Sequence, residues 1–209
     1  MAQPLFIYIH GFNSSPDSYK ARFFVDWMTT VGRGDQVLVP ALPHWPATAM
    51  VLLEQLIETH RERHIVLVGS SLGGYYSTWL SEKYGLPAVL INPAVRPFEL
   101  LAAMLGEQGN YYSDEQYELT AEHLQQLLAL NCRHLQDPSR YLLLTQTGDE
   151  TLDYREAVEK FKDSPMLIQQ GGNHGFDQFE SVIPTILAFA EGRIELPAVT
   201  ELTSPADKD

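Results

Sequence analysis

Six short apolar segments alternate along the chain with longer stretches in which apolar residues recur every three or four positions. These segments are residues 4–9, 36–40, 65–68, 87–91, 141–146 and 166–169. Segments such as Leu5–Ile9 and Ile65–Val68 have no polar face, which is typical of interior strands in a parallel sheet covered on both sides. The helical stretches supply the covering layers. The pattern therefore predicts an α/β fold with a six-stranded, mostly parallel sheet and helices on both faces.

The longest connection, at about residues 93–138, joins the fourth and fifth predicted strands. Its apolar residues have helical spacing, and Ser113 and Gln116 are spaced like a capping box. We therefore expect this connection to be entirely helical. Because it leaves the sheet at the end of a strand, it suits a small lid over a pocket. A plain crossover helix is the equal alternative.

The length and composition predict one domain. With 209 residues, of which 44% are apolar, the chain can bury one substantial core, which we assign to residues 1–195. Residues 196–209 are polar and aperiodic, so we expect a flexible tail there. The first residues carry no basic charge, and no apolar run approaches the ~18 residues of a membrane span, so we expect neither a signal peptide nor a membrane partner. The single cysteine, Cys132, fits a reducing cytoplasm.

The charge balance restricts the partners of the chain. The formal net charge is -13 at pH 7, and the resulting field repels polyanions, so a nucleic-acid partner is not expected. An anionic substrate would need basic residues close to its binding site.

A glycine-flanked serine lies between the third predicted strand and the helix that follows. Residues Gly69-Ser70-Ser71-Leu72-Gly73 fit the pattern G-x-S-x-G, in which the serine occupies a tight strand-to-helix turn with its hydroxyl exposed. A Cβ at either glycine would collide with neighbouring atoms across the turn. Ser71 is therefore a candidate nucleophile. The alternative is an ordinary connection in which the serine caps the helix.

A serine nucleophile needs a base within hydrogen-bonding distance and an acid that orients the base. His174 follows the last predicted strand in a glycine-rich loop. Apart from His10, which follows the first strand, the other histidines lie in or beside helices or in a proline-rich turn. Asp149 follows the fifth strand directly; Glu150 and Asp153 are its rivals, and Asp153 suits the cap of the next helix. Since ligands bind at the carboxyl ends of parallel strands, we expect Ser71, Asp149 and His174 to meet there.

The loop after the first strand is the candidate for stabilising a negatively charged intermediate. Such an oxyanion needs N–H donors that are already in place. The backbone N–H groups of Phe12 and Leu72 are the candidates. His10 and Gly11 precede Phe12, and Asn13 follows it; we expect His10 to organise this loop rather than act as a base or metal ligand, and Asn13 to support it.

Five segments together make the chain resemble the small bacterial YqiA-like esterases of the α/β-hydrolase superfamily, from about Leu5 to Ala190. The segments are His10-Gly11-Phe12-Asn13-Ser14-Ser15-Pro16, Gly69-Ser70-Ser71-Leu72-Gly73-Gly74, Asn92-Pro93-Ala94, Gly148-Asp149-Glu150 and Asn173-His174-Gly175-Phe176. The resemblance implies esterase activity with Ser71, Asp149 and His174 as catalytic triad. It also implies a compact α/β-hydrolase fold in which the six strands lie in the order 2-1-3-4-5-6.

We therefore expect a cytoplasmic serine esterase that acts on a small-molecule ester or thioester through an acyl-enzyme. The mechanism needs no metal and no organic cofactor. One alternative is an acyl-CoA thioesterase, which would require basic residues such as Arg22 or Arg96 at the pocket mouth. Another alternative is a non-catalytic, hydrolase-like binding protein. The sequence leaves the oligomeric state open.

Overall fold

The computed structural model describes residues 3–197 and Leu202. Its strands are β1 (Leu5–Ile9), β2 (Val37–Leu38), β3 (Ile65–Ser70), β4 (Ala88–Ile91), β5 (Gly106–Gly109), β6 (Gln116–Leu119), β7 (Tyr141–Gln146) and β8 (Met166–Gln169). Six of them form one sheet in the order β2-β1-β3-β4-β7-β8. Every neighbouring pair in this sheet is parallel. The predicted α/β fold and its strand order are thus confirmed.

Seven α-helices accompany these strands. They are α1 (Tyr19–Thr30), α2 (Pro46–Thr59), α3 (Leu72–Tyr84), α4 (Pro97–Leu100), α5 (Ala121–Ala129), α6 (Tyr154–Lys160) and α7 (Ile183–Ala190) within the described chain. Four single turns of 3-10 helix supplement them, at Gly34–Gln36, Leu101–Met104, Pro138–Arg140 and Phe179–Val182. Asp153 caps α6 by accepting a hydrogen bond from the Arg155 N–H, as the sequence predicts.

The apolar core consists of two layers, one on each face of the sheet. Successive side chains of a strand point to opposite faces, so Leu5, Ile7 and Ile9 enter one layer, while Phe6 and Tyr8 enter the other. Helices α2, α3, α5 and α6 contribute to the first layer, and α1 and α7 contribute to the second. Burial on both faces explains why the central strands are apolar at every position.

The expectation that residues 93–138 are entirely helical is wrong. Strands β5 and β6 form a separate antiparallel hairpin in the middle of this segment. Gly106 has a φ of 116°, which is incompatible with a helix. Gln116 begins β6 rather than completing a cap with Ser113, and the cap of α5 comes from Thr120, whose N–H donates to His123 Nδ1. Local spacing misses the hairpin because its stabilising contacts come from a distant loop, as shown below.

Most of the expected tail at 196–209 lies outside the described residues. Leu202 is described, and its N–H donates to the carbonyl oxygen of Gln170. Across the described part of the chain, no helix combines the length and the apolar character that crossing a membrane requires.

Candidate active site

The candidate residues meet at the carboxyl edge of the sheet because their strands end side by side. Ile9 pairs with Gly69 at the ends of β1 and β3, and Ser70 pairs with Ile91 at the ends of β3 and β4. The loops after β7 and β8 start from the paired residues Gln146 and Gln169. The parallel register thus places the loops after β1, β3, β7 and β8 at one edge.

Ser71 adopts a strained backbone conformation in the turn between β3 and α3. Its φ of 55° and ψ of -120° are rare for a residue with a side chain and cost on the order of 1–3 kcal/mol. Hydrogen bonds stabilise this conformation: the Ser71 N–H donates to the Ile91 carbonyl, and the Ser71 carbonyl accepts from the Gly74 and Ala94 N–H groups. The turn lifts the Ser71 side chain out of the strand and towards the neighbouring loops.

The two glycines of the G-x-S-x-G pattern leave room for this turn. A Cβ on Gly69 would lie 2.3 Å from the Gly73 carbonyl oxygen, and one on Gly73 would lie 1.9 Å from the Ile9 carbonyl oxygen. Both clashes are with backbone, which cannot move aside as a flexible side chain can. The close packing of α3 against the ends of β1 and β3 therefore requires glycine at both positions.

Ser71, His174 and Asp149 form a continuous chain of hydrogen bonds. His174 Nε2 lies 3.1 Å from Ser71 Oγ, and His174 Nδ1 lies 2.8 Å from Asp149 Oδ2 and 3.0 Å from Oδ1. An ionised carboxylate only accepts hydrogen bonds, so Nδ1 carries the proton of the neutral ring and Nε2 accepts from the serine hydroxyl. In this arrangement Nε2 is oriented to remove the serine proton.

Of the three acidic candidates, Asp149 alone reaches the His174 ring. The Asp149 side chain is 1% exposed, and its Oδ1 also accepts from the Thr151 and Leu152 N–H groups at 2.9 and 2.8 Å. Glu150 instead accepts from the His174 backbone N–H at 3.0 Å. Asp153, the helix cap, pairs with Arg155 and lies on an exposed surface. Both rivals thus have other partners.

Two buried amide side chains hold the loop that carries His174. Asn92, with a φ of 40°, donates from Nδ2 to the carbonyl oxygens of Asn173 and His174 at 3.0 and 3.3 Å. Gln146 Oε1 accepts from the N–H groups of Asn173 and Asp177, and its Nε2 donates to the Asp177 carbonyl. These contacts fix the loop backbone on both sides of the histidine.

The candidate N–H donors belong to Phe12 and Leu72, which follow Gly11 and Ser71 in the sequence. Gly11 packs directly against the serine, because a Cβ on Gly11 would lie 3.2 Å from the Ser71 Cβ. Phe12 and Leu72 line one narrow cleft between the loop after β1 and the start of α3. Among hydrogen bonds formed within residues 3–197, none uses the backbone N–H of Phe12 or Leu72. Both N–H groups are therefore available to an acceptor.

His10 connects the loop after β1 to the loop after β2. Its Nδ1 donates to the Gly11 carbonyl at 3.1 Å, and its Nε2 accepts from the Leu42 N–H at 3.2 Å. Burial lowers the pKa of His10, which keeps the ring neutral and fits these two contacts. Both ring nitrogens thus hydrogen-bond to backbone groups, in keeping with an organising role.

Asn13 connects the loop after β1 to the β5–β6 hairpin. Its Nδ2 donates to Gln108 Oε1 at 3.1 Å, and its Oδ1 accepts from the Tyr117 hydroxyl at 2.6 Å. Its carbonyl oxygen also accepts from the Tyr111 N–H at 2.9 Å. Tertiary contacts of this kind explain why the hairpin forms where the sequence alone indicates helix.

A cavity of about 230 Å³ opens beside Ser71 and His174. Hydroxyl-bearing side chains and one lysine dominate its lining, which includes Tyr8, Ser18, Tyr19, Lys20, Tyr111 and Tyr112. Lys20 Nζ donates to the carbonyl oxygens of Gly175 at 3.0 Å and His174 at 3.4 Å.

No cluster of three metal-ligating side chains occurs in the part of the chain that the structure describes.

Sequence reasoning overlooked several residues that surround the triad. Asn92 directly follows β4 and Gln146 ends β7, and their polarity at a buried sheet edge is a usable signal. Lys20 gives a weaker signal, since a cation in the first turn of a helix opposes the helix dipole. Tyr117 gives none, because its contact with Asn13 spans a large sequence distance.

The fold is the α/β-hydrolase fold. The chain superimposes on the mouse alpha/beta hydrolase domain-containing protein 10 with a TM-score of 0.69 at 15% identity, covering 90% of this chain and 89% of the other. For Est1E from Butyrivibrio proteoclasticus with bound ferulic acid, the TM-score is 0.68 at 13% identity, with 92% and 90% covered. Carboxylesterase CesB (YbfK) from Bacillus subtilis gives 0.56 at 16% identity, with 92% and 85% covered.

The particular family follows from the sequence. Residues 5–191 match the model of the uncharacterised protein family UPF0227, and the chain belongs to that family. No activity is established for the family, and structural neighbours at this level of identity establish the fold alone. The activity is therefore argued from the site.

Proposed function

We propose that this protein is a serine hydrolase that cleaves carboxylic esters through an acyl-enzyme, with Ser71 as nucleophile, His174 as base and Asp149 as orienting acid. The observation that carries the proposal is the unbroken series of contacts from Ser71 Oγ through the His174 ring to the buried Asp149. A hydroxyl at its ordinary pKa is a weak nucleophile, and a series of this kind is the usual way to activate it.

In the first half of the reaction, Ser71 Oγ attacks the carbonyl carbon while its proton passes to His174 Nε2. The carbonyl oxygen becomes an oxyanion that accepts hydrogen bonds from the Phe12 and Leu72 N–H groups. The carboxylate of Asp149 stabilises the imidazolium and keeps its orientation. His174 then returns the proton to the departing alcohol as the bond between carbonyl carbon and alcohol oxygen breaks.

In the second half, water replaces the alcohol. His174 removes a proton from the water, whose oxygen attacks the carbonyl carbon bound to Ser71. The same two N–H groups receive the second oxyanion. When it collapses, the bond to Ser71 Oγ breaks, His174 protonates the serine, and the free acid leaves. Neither half consumes a co-reactant other than water.

The neighbours agree with this proposal without deciding it. Carboxylesterase CesB is named for the same reaction, and Est1E is described with an organic acid bound. The thioesterase alternative has less support in the geometry. Arg22 is exposed and lies outside the lining of the cavity at Ser71, and Arg96 forms ion pairs with Glu99 and Glu156.

The test is hydrolysis of p-nitrophenyl esters from acetate to palmitate by the wild type and by Ser71→Ala. We expect activity in the wild type and a loss of at least about 10⁴-fold in the variant, with the fold retained by circular dichroism. A fluorophosphonate should label the wild type and not Ser71→Ala. Ser139→Ala, at an exposed serine before β7, is the matched control and should keep both activity and labelling.

Equal hydrolysis by the wild type and Ser71→Ala would refute the nucleophile. A folded wild type that neither cleaves any ester nor reacts with the fluorophosphonate would favour the non-catalytic binding protein.

A further inference from the structure

The lysine beside the catalytic candidates is poorly explained by the fold. Lys20 is partly buried in the lining of the cavity that contains Ser71 and His174. Within the described chain it has no carboxylate within ion-pair distance, whereas Lys83 and Lys162 pair with Glu54 and Glu159. A cation removed from water without an ionic partner is costly to the folded state.

The surroundings of Lys20 disfavour its charged form. Burial lowers the pKa of Lys20 to about 8, and the negative charge of Asp149 offsets only part of the effect. Lys20 also lies in the first turn of α1, and this first turn contains no acidic residue. The helix dipole therefore disfavours the positive charge of Lys20 as well. An anion next to the ammonium would relieve both penalties.

Lys20 retains hydrogen-bonding capacity for such an anion. An ammonium group has three N–H donors, and the carbonyl oxygens of His174 and Gly175 use two of them. The third remains for a ligand in the cavity.

A second donor lies at the floor of the same cavity. Tyr8 is 1% exposed, and its hydroxyl has no hydrogen-bond partner of normal geometry among the residues described. Burial raises the pKa of Tyr8, while the neighbouring Ser70 lowers it by less, so the phenol keeps its proton and acts as a donor. A buried donor without an acceptor costs about 1–3 kcal/mol, which an oxygen of a bound ligand would recover.

We propose that the cavity binds the carboxylate of the substrate, with Lys20 as its counter-ion, so that the preferred substrate is an ester that also bears a free carboxylate. This inference rests on the proposed esterase function and narrows its substrate class. Ser71 attacks the ester carbonyl, while the substrate carboxylate accepts a charge-assisted hydrogen bond from Lys20 Nζ.

Charge and size both favour a small monoanion. Asp149 and Lys20 carry opposite charges, so a bound substrate carboxylate leaves the site with a single net negative charge. Without the lysine, the charge of the substrate carboxylate would add to the negative charge of Asp149. The protein as a whole has a formal charge of -13, so an anionic substrate depends on a local cation. The cavity of about 230 Å³ is smaller than the roughly 300–1,000 Å³ of typical ligand pockets, which favours a short substrate.

The test compares two matched pairs of esters, because the carboxylate can belong to the acyl or to the alcohol part. Mono-p-nitrophenyl glutarate against p-nitrophenyl valerate probes the acyl part, and 4-acetoxybenzoate against phenyl acetate probes the alcohol part. The ratio of kcat/KM for the charged and the neutral ester is measured for the wild type, Lys20→Met and Lys20→Arg. Lys162→Met removes the same charge from an exposed site and is the matched control.

We expect the wild type to prefer the charged ester in one pair. Lys20→Met should lower that ratio at least about tenfold, mainly through KM, since a local ion pair in a partly desolvated site is worth more than about 1.4 kcal/mol. Lys20→Arg should restore part of it, and Lys162→Met should leave it within about twofold of the wild type. The ratio is informative even if Lys20 also positions His174, because a displaced histidine slows both esters equally.

A ratio in Lys20→Met that stays within twofold of the wild type, or a wild type that prefers the neutral ester in both pairs, overturns the inference. Neither result affects the esterase proposal, provided that hydrolysis of the neutral esters still depends on Ser71.

Binding provides a readout that is independent of turnover. Glutarate and 4-hydroxybenzoate are titrated calorimetrically into Ser71→Ala with and without Lys20→Met. If the wild type cleaves no ester, a Kd at least about tenfold weaker without the lysine still supports the carboxylate site, and no binding of either acid overturns it.

Discussion

Replacing Asp149 by asparagine keeps the shape of the side chain and removes its charge. In the native structure Oδ1 accepts from the Thr151 and Leu152 N–H groups, and both carboxylate oxygens face His174 Nδ1. The amide oxygen of asparagine can still accept from the two backbone groups. The amide nitrogen then faces Nδ1 and can only donate to it.

The consequence is an inverted tautomer of His174. If Nδ1 must accept a hydrogen bond, the ring proton moves to Nε2, which then donates to Ser71 Oγ and cannot remove its proton. In the serine-protease triad, the same change lowers kcat by about 10⁴, equivalent to roughly 5.5 kcal/mol of transition-state stabilisation. Because two of the backbone contacts survive, we expect the loss to fall almost entirely on kcat, with stability changed by less than about 1 kcal/mol.

The assay is steady-state hydrolysis of the best p-nitrophenyl ester by the wild type, Asp149→Asn and Asp153→Asn, with urea unfolding of each. Asp153→Asn is the matched control, since it removes the same charge four positions away. Asparagine also caps helices well, so α6 should persist and activity should stay within about twofold of the wild type. A loss below about tenfold in Asp149→Asn, or comparable losses in both variants, would contradict the assignment of the orienting acid.

Three further outcomes are expected. Tyr117→Phe removes the hydrogen bond to Asn13 Oδ1 and should lower kcat about 3- to 10-fold, since such a bond contributes roughly 0.5–1.5 kcal/mol. An unchanged kcat would show that this contact of the hairpin does not support catalysis. Gly73→Ala places a Cβ 1.9 Å from a backbone oxygen of β1. The variant should have a free energy of unfolding lower by more than about 3 kcal/mol, or should not be expressed in soluble form. A urea midpoint equal to that of the wild type would disprove the clash. The preference for the charged ester should be full well below pH 8 and should decline as pH rises through about 8, because Lys20 then loses its proton. A preference that is constant from pH 6.5 to 9.5 would exclude Lys20 as the counter-ion.

The sheet could be predicted from the sequence because its signal is local. Each central strand is apolar on both faces, and glycine-rich turns follow β3 and β8, so the alternation of strands and helices and the position of Ser71 are readable without tertiary information. The position of His174 follows from the same reasoning. The choice of Asp149 over Asp153 rests on the expectation that Asp153 caps a helix, and in the structure Asp153 caps α6.

The hairpin could not be predicted in this way because its strands are short and largely polar. Residues Gly106–Gly109 and Gln116–Leu119 carry no apolar alternation of useful length. Their conformation depends on Asn13, which is about a hundred positions away in sequence. Lys20 was missed for a related reason, because only the packing of α1 beside the loop after β8 brings its ammonium to the His174 carbonyl.

The bonds between Asn13 and the hairpin tie two properties of the protein to one structural unit. Tyr111 and Tyr112 of the hairpin line the cavity, while Tyr117 and Gln108 of the same hairpin hold the residue next to Phe12. A substitution or insertion that reshapes the cavity from this side therefore also disturbs the candidate oxyanion donors. For directed evolution, this means that selectivity and turnover should change together when the hairpin is varied.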